Sequence, residues 1–242
     1  MPLRQRSTSR LKFRRKIDSP GARDVRKGND LLKSGRIKEA KISYENAVDS
    51  NPKSAEAWNN LGVIEENMGS HIEALKCYNR ALKLKPTYPE AWCNKGMTLY
   101  RLKRESKAIK CLDMSIKLSP ENPVAWLNRG VIFSRKGDQQ TAIVCYNKAL
   151  RFDDSYSLAW LNKGIALMKI GRVDEAVDSF DKALLHRPDF PETWFQKARA
   201  LLLMHNKEGA NYCMERVHEL QPEFMELLTT RATKVRKPRR GD

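Results

Sequence analysis

The sequence is poor in the residues that usually carry chemistry. It holds four histidines and five cysteines among 242 residues, and no apolar run approaches the length of about 18 that a membrane span needs. The histidines (His71, His186, His205 and His218) have no partner at metal-ligand spacing. There is no glycine-rich phosphate loop and no Ser/His/Asp set. No catalytic centre, bound metal or cofactor is therefore expected, and the chain reads as a non-enzyme. The opening stretch MPLRQRSTSRLKFRRKID has no central apolar run, which argues against a secretory signal. Its Arg and Ser content also suits an organellar presequence; the expected location is the cytoplasm.

Acidic residues are outnumbered, and unevenly. The net charge is +17, of which residues 1–20 carry +6 and residues 225–242 carry +4. Such ends suit an anionic surface: nucleic acid, ribosome or lipid. They equally suit plain solubilising tails.

What the chain has in abundance is repetition. All five tryptophans (Trp58, Trp92, Trp126, Trp160 and Trp194) are spaced by 34 residues. Four residues after each stand Gly62, Gly96, Gly130, Gly164 and Ala198. Sixteen after stand Ala74, Ala108, Ala142, Ala176 and Ala210. Twenty after come Tyr78, Leu112, Tyr146, Phe180 and Met214, and twenty-eight after come Pro86, Pro120, Asp154, Pro188 and Pro222. The grid extends backwards once, with Asp24 in the Trp column but Gly28, Ala40 and Tyr44 in register. It extends forwards by half a unit, through Leu228, Ala232 and Val235.

Each column has a physical reading. Trp and the Gly four later share a helical face, so Trp fills interhelical space and Gly admits a neighbouring backbone. Gly69, Gly137 and Gly171, eleven after Trp, end the first helix. Pro ends the unit. Two antiparallel helices per 34 residues cannot bury their apolar faces alone, whereas stacked copies can.

By period and columns the chain resembles the tetratricopeptide repeat family, with the AWxNKG variant similar to arrays of archaeal type. The resemblance implies an all-α, right-handed superhelical solenoid. It would have six repeats at 21–54, 55–88, 89–122, 123–156, 157–190 and 191–224, a capping helix at 225–235, and basic tails at 1–20 and 236–242. Lys103 and His205 stand where the turn Gly is expected, which puts the geometry of those two units in question.

On a helical wheel with Trp at zero, the buried stripe is expected around Trp, the Gly at about 40° and the residue seven later at about −20°. Lys95, Arg129, Lys163 and Lys197 fall at its flank, where a long stem covers apolar surface and the charge reaches water. The opposite face carries Asn60, Asn94, Asn128, Asn162 and Gln196, flanked by Arg101, Arg135 and Lys169. In the family this face lines a concave groove. Amides donate and accept hydrogen bonds, as a peptide backbone does. The expected partner is thus an extended, acidic peptide or protein segment, with weak nucleic acid binding through the basic tails as the alternative. Cys77, Cys111, Cys145 and Cys213 share one column, too far apart for disulfides when carried on stacked helices. They read as small packing residues in a reducing compartment.

Overall fold

A computed structural model describes residues 21–223. The two basic tails and the expected capping helix lie outside the described residues.

Among the described residues there are twelve α-helices and no strand. They divide into two compact units at Pro86. The first holds α1 (Ala22–Lys33), α2 (Ile37–Ser50), α3 (Ala55–Asn67) and α4 (His71–Leu84). The second holds α5 (Pro89–Arg101), α6 (Glu105–Leu118), α7 (Pro123–Arg135), α8 (Gln139–Phe152), α9 (Ser157–Lys169), α10 (Val173–His186), α11 (Pro191–Leu203) and α12 (Lys207–Leu220). Every odd-numbered helix packs on the next, and within each unit every even-numbered helix packs on the first helix of the following pair. In the second unit α7 also touches α5 and α9, and α9 touches α11. Each unit is an all-α array of stacked helix pairs.

The turn inside each pair is one motif repeated six times. The residue that ends it is left-handed: Gly35, Gly69, Gly137 and Gly171 at φ of 75°, 81°, 91° and 79°. The next N–H then bonds the carbonyl five residues back, as in Ser70 to Glu65 at 2.8 Å and Arg172 to Leu167 at 3.0 Å. Lys103 and His205 adopt the same turn at φ of 60° and 58°, with the same bond from Arg104 to Leu99 and from Asn206 to Leu201. The two units expected to deviate therefore keep the geometry, and two side-chain-bearing residues take the strained backbone.

The glycines in the middle of the first helices serve a different purpose from the one expected. A Cβ on Gly62, Gly130 or Gly164 would lie 2.5–2.6 Å from the ring of Tyr78, Tyr146 or Phe180, in the second helix of the same pair. The space they leave is filled by a side chain, not by backbone. Those rings are almost wholly buried, beside alanines of the sixteen-after column that are shielded completely.

Tryptophan also departs from expectation. The five rings are half-buried, and the enclosed positions are Ala57, Ala91, Ala125 and Ala159 just before them, with Leu61, Leu127 and Leu161 nearby. The indole N–H explains the shift. Trp58, Trp126, Trp160 and Trp194 donate to the carbonyls of Pro52, Pro120, Asp154 and Pro188 at 3.0, 2.8, 2.7 and 2.8 Å. The ring sits at the helix edge and ties down the loop entering its own repeat. Because the acceptor is a backbone carbonyl, Asp154 serves as well as proline.

Candidate peptide-binding face

In the second unit α7, α9 and α11 are each covered on two sides, by the second helix of their own pair and by the preceding one, and α5 packs on α6. This leaves a strip holding the residues two, five and nine after Trp. Asn94, Asn128 and Asn162 are half-buried along it, and Arg101, Arg135 and Lys169 are exposed at the C-terminal ends of α5, α7 and α9. Cations at helix C-termini meet the negative end of the helix dipole, which favours them there. Arg199, five after Trp194, is exposed on the same strip of α11.

The amides are already partly engaged. Asn128 Nδ2 donates to Cys93 Sγ on α5 at 3.3 Å, and Asn162 Nδ2 donates to the Leu158 carbonyl one turn back at 2.7 Å. An amide has two N–H donors and a carbonyl, so one donated bond leaves further capacity on each. Gln196 differs: it is buried, it donates to Glu192 at 2.6 Å, and its carbonyl accepts from Arg199 at 2.9 Å. Asn60 lies in the first unit and donates to Asn29 Oδ1 at 3.2 Å, which also accepts the Tyr44 hydroxyl at 2.7 Å. The structure thus gathers Asn94, Asn128, Asn162, Arg101, Arg135 and Lys169 on packed helices of one unit. Asn60 and Gln196 instead use both amide ends internally, since Asn60 also accepts from Asn59 Nδ2 at 3.2 Å.

The cation column next to Gly has structural duties. Lys95, Lys163 and Lys197 place their ammonium groups 5.0, 4.9 and 5.8 Å from the ring centres of Trp92, Trp160 and Trp194. Arg129 bonds Asp113 at 2.9 Å, and Lys197 pairs likewise with Asp181. Burial, with Lys182 nearby, holds Lys163 below the usual lysine range. Sequence reasoning missed Thr98 and Ser115. Both hydroxyls are buried, and they bond the Asn94 and Pro89 carbonyls at 3.0 and 2.8 Å. Ser115 stands in a column that holds Ala47, Ala81, Ala149 and Ala183, with Val217 in the last pair, and its hydroxyl among apolar side chains was its signal.

The five cysteines are buried and free. Burial raises all five thiols, with Cys77 pushed up to about 11. Among the described residues no group of three or more His, Cys, Asp and Glu side chains is placed to hold a metal ion. No described helix is long and apolar enough to cross a membrane.

Models of the tetratricopeptide repeat match residues 25–54, 55–88, 89–122, 123–156 and 157–190. The chain belongs to the tetratricopeptide repeat family. Solved structures of similar fold include Pseudomonas aeruginosa PilF, with a TM-score of 0.75 and 20% identity over 88% of this chain and 97% of that one. A chain of the APC/C hetero-tetramer Cut9–Hcn1 matches with a TM-score of 0.77 and 21% identity over 86% of this chain. This chain spans 41% of that one's length. YrrB, described as a tetratricopeptide repeat protein with an unusual peptide-binding site, matches with a TM-score of 0.58 and 18% identity over 78% of this chain and 97% of that one. No curated protein sequence matches. The sixth helix pair, α11 and α12, lies beyond the repeats that the family models match, yet it has the same turn and packs in the same way.

Proposed function

We propose that this protein is a non-catalytic scaffold that holds an extended, acidic segment of another protein along the first helices of its second unit. One observation carries the reading: half-buried Asn94, Asn128 and Asn162 run beside exposed Arg101, Arg135 and Lys169 on helices that touch one another. The amides offer paired donors and acceptors to a peptide backbone, and the cations offer charge to its side chains. The description of YrrB as having a peptide-binding site, and of the Cut9–Hcn1 assembly as a hetero-tetramer, supports a protein partner on this architecture. Five buried free thiols suit a reducing compartment, and we place the protein in the cytoplasm on that ground.

The test is affinity capture from a cell extract at moderate salt, with and without nuclease, using wild type and Arg135→Glu. A protein should be retained by wild type after nuclease treatment and lost from Arg135→Glu. Capture that disappears with nuclease, or that Arg135→Glu leaves intact, would contradict the proposal and favour binding through the basic tails.

A further inference from the structure

Arg101, Arg135 and Lys169 hold one position, nine residues after Trp92, Trp126 and Trp160, and close α5, α7 and α9. Since α7 packs against both α5 and α9, neighbouring cations are set apart by one interhelical step, about 8–10 Å for packed helices. Across one such step Lys169 Nζ comes within 3.5 Å of Ser134 Oγ, next to Arg135. Asn94, Asn128 and Asn162 advance by the same step.

A bound segment that pairs one acid with each cation must repeat at that distance on one side. A β-strand advances about 3.3 Å per residue and alternates its faces, so side chains on one face recur at roughly 6.6 or 13 Å. Neither spacing fits. A polyproline II helix advances about 3.1 Å with three residues per turn, so every third side chain returns to the same face after roughly 9.3 Å. Its backbone makes no internal hydrogen bonds, which leaves the N–H and C=O groups open to the amides.

We infer that this face takes a polyproline II segment with an acidic side chain at every third position, one acid per repeat and one amide per three residues of ligand. The inference rests on the acidic-segment reading above and adds the register and conformation of the ligand. Proline is accepted at the positions between the acids, because that conformation does not need their N–H groups.

The test uses three fluorescein-labelled peptides of identical composition. Each has three glutamates in a Pro/Ala background, spaced two, three or four residues apart. Anisotropy titrations with the full chain, at an ionic strength of about 0.15 M, should show the three-residue spacing bound about tenfold more tightly than the others. A peptide with lysine at its middle acidic position should bind Arg135→Glu better than wild type does. Arg135 is exposed, and matching circular dichroism melts would establish that the variant folds. Equal affinity for the three spacings overturns the register and leaves the acidic-segment reading in place. Failure of every peptide to bind overturns both.

Discussion

Gly164 and Phe180 show what one atom decides in this array. A Cβ at Gly164 would stand 2.5 Å from the Phe180 ring, whereas at Gly96 it would meet the smaller Leu112 at 3.0 Å. The last pair goes further and places Ala198 opposite Met214. Gly164→Ala should therefore cost about 1–3 kcal/mol through overpacking, and Phe180→Leu in the same chain should return part of it. Urea denaturation of the two single variants and the double variant measures this; strictly additive losses would contradict the fit. The column of glycines was legible in the sequence. Its purpose was not, because a missing side chain does not say whether backbone or ring fills the space. The turn offers a second residue-scale test. Lys103 holds φ of 60°, which costs a side-chain-bearing residue about 1–2 kcal/mol, offset in part by the greater chain entropy of glycine. Lys103→Gly should raise stability by roughly 0.5–1 kcal/mol, seen as a higher melting temperature; an unchanged or lower one would place the strain elsewhere.

At the scale of the element, α3, α7, α9 and α11 are each fastened at the N-terminal end by the indole bond to the entering loop and enclosed by two second helices. Trp126→Ala removes a half-buried ring and the bond to Pro120, and should cost about 2–4 kcal/mol, toward the lower end of large-to-small core changes. Lys163→Met, whose stem lies over Trp160 while its ammonium group carries a burial cost, should be nearly neutral. Comparable losses in the two variants would contradict this assignment of roles. The period of the repeat made the helices and turns legible. The wheel put Trp at the centre of the buried stripe because a wheel carries no information about an N–H that needs a carbonyl beyond the helix end. The second helices supply a pH test. Burial raises the Cys77 thiol from 9.0 to about 11, so the folded chain keeps a proton there that the unfolded chain releases. Stability should fall as pH rises through that window, and Cys77→Ala should flatten the fall. Urea midpoints measured across the window check it; identical profiles for the two proteins would contradict the assignment.

For the whole molecule, the sequence grid runs without interruption from Gly28 to Ala210, yet the structure forms two compact units that part at Pro86. Nothing in the columns marks that boundary, because periodicity records how each repeat is built and not how the repeats group into units. The candidate face was legible as a file of amides and cations. That Gln196 and Asn60 use both amide ends internally was not, since those bonds come from residues outside the column. The central claim is that specific recognition resides on the first helices and not on the tails. The measurement that tests it most directly is titration of the captured partner and of a random RNA across a range of salt concentrations. Wild type is compared with Asn94→Ala/Asn128→Ala and with a chain lacking residues 1–20 and 236–242. Each lost amide should weaken the partner by about 1 kcal/mol or more. Each tail contact with a phosphate should add about 0.7–0.9 to the slope of log affinity against log salt. The account predicts that the double amide variant loses the partner and keeps RNA, and that the tail deletion does the reverse. If the tail deletion loses both ligands while the amide variant loses neither, the claim is contradicted.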